Sequence, residues 1–455
     1  MTVPQEFQAV ILAAGKGSRM PELTAEKPKC ILPIGGKPLV WYPLFKLQQL
    51  GFTETIMIVC ESQKQDIQAA LDKTNLTIKI DYVSITNSDE MGTADSIRLL
   101  KDRIKSDLVI ASCDLITNAD LSKVLSLYRK NNASICSLMF NPGKCETVVV
   151  PGPKSKYKPE RDLIGVDSQT SRLVFLASAS DFEQDVSLPR LLFKKHTDMT
   201  MYSNLIDSHF YVMRNWVYKY LLQENTKSTL KGEFLPHIIK KQLLKPVTHA
   251  DTNMSIVNTK DVNDIFHLIN DNPLNASIRK ANSFNDHHGD SKEMYHGDLI
   301  RCYAHIADSD TFGVRVNTLQ SFWGTNAKIM DNWQKITGIE KLTMVDEKAE
   351  VKSNQIDKTF VWDSSVLSEK TSFKNSIIGS NTKVNSFSRV FNSIVMNNVV
   401  ISEKVALENC IVCNGAVIET QCTLKGCIIG SNHTVNQGEE RTNEVLTDSD
   451  RFMEL

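Results

Sequence analysis

The chain has 455 residues, and its 52 basic against 53 acidic side chains exclude the strong positive field that captures nucleic acid or anionic membrane. Apolar residues make up 41% and charged residues 23%, the mix of ordinary globular chemistry, and the length calls for two or three domains. No apolar run approaches the ~20 residues of a bilayer span, and MTVPQEFQAVILAAG carries no basic leader, so the expectation is a cytosolic protein with neither membrane nor DNA as a partner. Ten scattered cysteines then read as reduced thiols, not as a disulfide framework.

In chain order, FQAVILAAG is a short buried strand running into glycine. PLVWYPLFKLQQLG places Val40, Leu44 and Leu47 at helical spacing, with Gly51 as the C-cap. TIMIVC is a strand, QKQDIQAALDK and TADSIRLLKDR are helices, and LVIASCD is a strand ending at Asp114. This alternation predicts a mostly parallel sheet with helices on both faces.

Ligands of such sheets sit at the carboxyl ends of the strands, which directs attention to LAAGKGSRM after the first strand. Gly15 and Gly17 let the backbone approach an anion, while Ser18 and Arg19 offer a hydroxyl and a guanidinium to its oxygens. A glycine pair alone would serve equally as a surface turn. The whole run LAAGKGSRMPELTAEKPKCILPIGGKP, however, resembles the signature of sugar-phosphate nucleotidyltransferases. The resemblance implies that the glycine loop and Arg19 would face a nucleoside triphosphate and that Lys29 would contact substrate phosphates. It also implies a base- or sugar-side loop at Gly92-Thr93-Ala94, and at Asp114 the position of a magnesium-binding aspartate.

Nucleotidyl transfer depends on positioning and on cations around the reacting phosphate. Neither a downstream Glu-Lys-Pro segment nor a Trp-x-Asp-x-Gly-Thr-like segment with a second aspartate is present beyond residue 30. Asp207, Ser208 and His209 replace the family's Asn-Ala-Gly, Cys113 stands where glycine usually precedes the aspartate, and Glu22 stands where a proline would follow the arginine loop. These departures predict a decayed pocket with no catalytic residue, no cofactor and no metal. Gly15, Gly17, Ser18, Arg19 and Lys29 are then its vestigial nucleotide-site residues, and Asp114 caps a turn or helix, becoming a metal ligand only if the pocket is active.

Between about Lys245 and Val351 the motifs fade. SFWGTNAKIMDNWQKI reads as helix, and His287 and His288 lie in an Asn/Asp/Gly-rich loop. The basic stretch PGPKSKYKPERD is a solvated edge unless it touches phosphate or RNA. Beyond it, segments starting at Lys358, Asn375, Asn392, Asn409 and Gly426 align at a period of 17 residues, each with an apolar pair, a small or polar turn, mostly with Gly or Asn, and another apolar position about six residues on. This hexapeptide pattern predicts a parallel β-helix with coils stacked at about 4.8 Å. Cys410, Cys413, Cys422 and Cys427 imitate paired zinc thiolates, but the repeat aligns Cys410 and Cys427 with Ser376 and Ser393, which makes them wall or turn residues.

FQAVILAAGKGSRM, PLVWYPL, MGTADSIR, SCDLIT, RDLIGVDS, RCYAHI and RTNEVL together resemble the gamma-subunit family of eukaryotic translation initiation factor 2B, which is related to mannose-1-phosphate guanylyltransferases. The resemblance implies an α/β, Rossmann-like nucleotidyltransferase domain at residues 1–245 and a helical and loop connector at 246–350. A left-handed parallel β-helix at 351–440 and a tail at 441–455 would follow. It further implies a non-catalytic subunit of a guanine-nucleotide exchange complex, pairing directly with an epsilon subunit, with alpha, beta and delta subunits completing a decamer that acts on initiation factor 2. The epsilon family continues into a helical-repeat exchange domain, whereas this sequence stops at Leu455. The alternative is an active mannose-1-phosphate guanylyltransferase-like enzyme or the regulatory subunit of one.

Overall fold

The computed structural model describes residues 6–86, 91–141, 149–153, 161–178, 181, 185–244, 265–269, 298–339 and 344–447. His287, His288 and most of the basic stretch at 151–162 lie outside them.

Seven strands form the first sheet, in the order Cys302–Ile306, Ile135–Phe140, Ile206–Met213, Asp107–Ser112, Phe7–Leu12, Glu54–Cys60, Lys79–Ile85. Phe7–Leu12 runs parallel to both neighbours, and Ile206–Met213 is antiparallel to both of its own. The near-continuous apolar strands AVIL, TIMIV and LVIA are buried because helices cover both faces. Trp41–Gln49 and Lys64–Asp72 are helices as expected, and Gly51 follows the first with φ +92°, the left-handed conformation that ends helices at glycine. The helix expected from TADSIRLLKDR is shorter, Thr93–Arg98, and opens with the Gly92 N–H donating to Asp95.

Of the stretch expected as a connector, residues 302–337 are stitched into this domain. Cys302–Ile306 pairs in parallel with Ile135–Phe140 as an edge strand of the main sheet. Gly313–Arg315 pairs antiparallel with Leu115–Thr117. A helix then runs from Leu319 to Thr337, started by a Thr318 cap and ended by Gly338 at φ +73°. Parallel partners lie far apart in sequence, so nothing local to RCYAHI announced its place.

From residue 350 to 446 the chain winds into three six-stranded parallel sheets, the arrangement of a left-handed β-helix. Register follows the repeat: Phe360, Ile377, Ile394, Ile411, Ile428 and Val445 stack in one column. The corners explain the turn residues. Asn375, Asn392, Asn409, Gly426 and Asn443 share one corner and Asn381, Asn398, Gly415 and Asn432 another, all at positive φ. Asn and Gly tolerate that conformation best. The five repeats legible in the sequence become six rungs, and the strands Glu440–Thr442 and Val445–Leu446 carry the β-helix past residue 440 into the stretch expected as a tail. Arg441 occupies the column of Val390, Leu407 and Leu424, which hid the last rung from an apolar pattern.

The two domains share one apolar seam. Trp41, Phe322, Trp323, Ile329 and Trp333 pack against the outward ends of the Phe360–Ile428 column, with Trp41 and Trp333 stacked at 6.0 Å. The LPIGGKP hairpin is its wedge. A Cβ on Gly35 would lie 2.8 Å from Ile329, and one on Gly36 would lie 2.5 Å from Trp362, so only bare backbone fits between helix and β-helix.

Candidate functional site

The parallel strands Phe7–Leu12 and Asp107–Ser112 end side by side, so the loop after the first and Asp114 after the second share the carboxyl edge of the sheet. Gly17 adopts φ +77°, and a Cβ there would meet Thr24 at 2.7 Å. Its carbonyl accepts from Met20 N–H at 2.8 Å, which folds the loop into the short helix Pro21–Thr24. Gly15, Ser18 and Arg19 are exposed at this edge.

Lys29 does not face solvent with them. It is buried, and its Nζ lies 2.5 Å from Asp114 Oδ2. Arg315 closes the other side of the carboxylate, with Nε 3.1 Å from Oδ1 and Nη2 3.1 Å from Oδ2, a bidentate pair. Burial by itself would push the Asp114 carboxyl up. The charges of Lys29 and Arg315, with the hydrogen bonds from Arg315, outweigh it and hold the carboxyl well below the usual carboxylate range. Asp114 therefore caps neither turn nor helix through its carboxylate: both oxygens are engaged by cations, and its backbone carbonyl accepts from Val316 N–H at 2.9 Å.

His209 borders the same group. It sits at φ +52° in the irregular part of its strand, a backbone conformation suited to glycine, with its N–H on Asp207 Oδ1 at 2.8 Å. Its Nε2 is buried and makes no hydrogen bond among the described residues. Burial, reinforced by Arg315, holds its pKa well below the ordinary histidine value, so the ring is neutral. Tyr211 donates to Asp207 Oδ2 at 2.7 Å, and burial raises Asp207. Cys113 is likewise a buried thiol pushed up to about 12 by desolvation. At Gly92 a Cβ would lie 2.1 Å from the Ser228 carbonyl, which accepts from Ala94 N–H at 2.8 Å, and Thr93 Oγ1 accepts from Leu230 N–H. The Gly92-Thr93-Ala94 loop is thus spent on packing against residues 228–230.

A magnesium ion at Asp114 would have to displace two charge-assisted pairs in a buried site, so the residues present do not fit the metal that the fold family implies. Among the described residues no cluster of three or more His, Cys, Asp or Glu could hold a metal ion. The four cysteines of the β-helix are wall residues, of which Cys410 and Cys427 touch each other between successive rungs. Cys410 contacts the carbonyls of Glu408 and Leu424, Cys422 that of Asn436, and Cys413 that of Glu22 across the domain seam. Arg315 was missed by sequence reasoning because it lies 201 residues from Asp114 in a stretch without motif. The signal available was only that a buried strand-end aspartate needs a cation.

Fold and site together define a nucleotidyltransferase-type domain carrying a left-handed β-helix. Residues 8–147 match the nucleotidyl transferase family and residues 340–434 the GlmU-like C-terminal hexapeptide family. The chain is 32% identical over 252 residues to translation initiation factor eIF2B subunit gamma of Schizosaccharomyces pombe, covering 54% of each chain. It is 31% identical over 241 residues to the protein of the same name from Caenorhabditis elegans, covering 52% of this chain and 59% of that one. Over 411 residues it is 23% identical to the gamma subunit of Dictyostelium discoideum, covering 83% and 88%. The aligned part spans little more than half the length of the first two relatives. The chain is thus similar to eIF2B gamma subunits of three organisms, the likeness that its sequence motifs pointed to.

Proposed function

We propose that this chain is a component of the eIF2B guanine-nucleotide exchange complex and that its own nucleotidyltransferase pocket performs no catalysis. Its role is to support an epsilon subunit, paired with it directly, in replacing GDP by GTP on initiation factor 2, and to pass on the inhibition caused by the phosphorylated factor. Alpha, beta and delta subunits complete a decamer in the cytosol.

The gamma-named relatives support the assembly, and one observation supports the loss of catalysis: the Lys29–Asp114–Arg315 cluster. A carboxylate that must hold a metal for the phosphates cannot also be neutralised by two buried cations of its own chain, because each pair broken on metal entry leaves a desolvated charge. The glycine loop remains exposed, and Gly15, Gly17, Ser18 and Arg19 are nucleotide-site residues retained without turnover.

The test is native mass of the tagged protein purified from its own cells, with its companions identified. An assembly holding four other initiation-factor subunits supports the proposal. A homo-oligomer that makes GDP-mannose from GTP and mannose-1-phosphate would overturn it.

A further inference from the structure

The three sheets of the β-helix are not treated alike by the rest of the chain. The one carrying Phe360, Ile377, Ile394, Ile411 and Ile428 is covered at the seam by the helix Leu319–Thr337. The one built from Gln355–Asp357, Ser372–Lys374, Arg389–Phe391, Ala406–Glu408, Thr423–Lys425 and Glu440–Thr442 faces outward. In its first five strands the middle residue points into the coil, so the first and third project away from it. The third residues stack in register as one exposed column: Asp357, Lys374, Phe391, Glu408 and Lys425.

That column is antisymmetric in charge about Phe391. Lys374 lies one rung to one side and Glu408 one rung to the other; Asp357 and Lys425 lie two rungs away, at equal steps of about 4.8 Å. Within the chain these charges are only partly used. Lys425 reaches Glu408 at 3.5 Å with both side chains more than half exposed, a pair that contributes little, and Asp357 and Lys374 form no ion pair among the described residues. Pairing along the column would account for the charges but not for an aromatic side chain left 37% exposed at their centre. A two-fold axis along the strand Arg389–Phe391 reverses the order of the rungs. It sets Phe391 on its own copy, Lys374 opposite Glu408 of the second copy and Asp357 opposite Lys425 of the second copy, and each contact recurs by symmetry. Four opposite-charge contacts then surround two aromatic rings, an apolar centre within a polar rim. Among the first residues of the strands, Ser372 meets Ala406 and Gln355 meets Thr423, so Arg389 alone faces a like charge, its own copy.

We propose that this sheet is a docking surface for the same sheet of a second copy of this chain, with the rungs in opposite order about Arg389–Phe391. The charge order selects that occupant, because a uniformly acidic or basic partner would oppose half of the charged column with its own sign. Six short strands make a face at the small end of specific interfaces, so the dimer is weak and sensitive to salt. The contact joins copies of this chain and does not rest on its pairing with an epsilon subunit.

Sedimentation velocity of the full chain over a concentration series, at low and at high salt, tests it. A reversible dimer that salt weakens is expected, and Phe391→Ser should weaken it about tenfold or more while melting as the parent does. Lys374→Glu/Lys425→Glu leaves only carboxylates in the column, and Asp357→Lys/Glu408→Lys leaves only cations. Each should stay monomeric alone, and their equimolar mixture should dimerise. Lys383→Glu, on the neighbouring sheet, should leave the dimer unchanged. A parent chain that stays monomeric at every concentration would overturn the proposal. So would a dimer that persists in both charge variants, a mixture that fails to associate, or a dimer lost in Lys383→Glu but intact in Phe391→Ser, which assigns the contact to another face.

Discussion

Arg315 grips both carboxylate oxygens of Asp114 at 3.1 Å, and it reaches them because Gly313–Arg315 pairs antiparallel with Leu115–Thr117. A residue from the stretch between the domains thereby closes the pocket that the glycine loop opens. Replacing it should be costly. Arg315→Met leaves Asp114 with Lys29 alone, and a loss of about 3 kcal/mol is expected for breaking a buried pair. Urea unfolding measures it, as a lower midpoint at unchanged slope. Because the residues act as one unit, Asp114→Asn/Arg315→Met should cost much less than the sum of the single changes; additivity would show that they do not interact.

The same cluster sets an acid limit. The Asp114 carboxyl is depressed in the folded state and close to 4 in the unfolded chain. Its contribution is therefore complete above pH ~4 and is lost progressively as pH falls below that value. Melting curves between pH 7 and pH 3 should fall steeply at the acid end for the parent and more gently for Asp114→Asn. Parallel acid limbs would contradict the ion pair.

His209 acts in a different window. Its folded pKa lies below the ordinary value, so below pH ~6.5 the unfolded state binds a proton that the folded state refuses. Folded stability attributable to this group then falls by up to about 1.4 kcal/mol per pH unit on acidification. His209→Gly removes that slope and relieves the φ +52° strain, so it should melt no lower than the parent at pH 7 and higher at pH 5.5.

At the domain seam, Gly36→Ala forces a Cβ into Trp362 at a position with φ +85°. The expected cost is about 2 kcal/mol, since both strain and overpacking oppose it. Limited proteolysis should cut between the domains faster than in the parent, and an unchanged digestion rate would mean that the hairpin is not the wedge.

Within the β-helix the corners and walls should respond oppositely. Phe387 occupies a corner at φ +63° and is 52% exposed, so Phe387→Asn should be neutral or stabilise by up to about 1 kcal/mol. Ile411, fully buried in the stacked column, should cost about 2–5 kcal/mol as Ile411→Ala. Thermal melting of the two variants beside the parent reads both effects.

Much of this was legible in the residues themselves. The β-helix could be read because each rung pairs with the chain one repeat away, so the periodicity of Ile377, Ile394, Ile411 and Ile428 is itself the contact map. Strand–helix alternation likewise indicated the parallel sheet, and LAAGKGSRM marked its carboxyl edge. Other features required distant segments to meet. RCYAHI joined the main sheet as an edge strand, LPIGGKP turned from part of a nucleotide signature into a wedge against Ile329 and Trp362, and Arg315 came to Asp114. The physical reason is range. A turn, a strand period or a repeat is decided by neighbours along the chain, whereas the partner of a buried charge is whichever cation the finished packing leaves beside it.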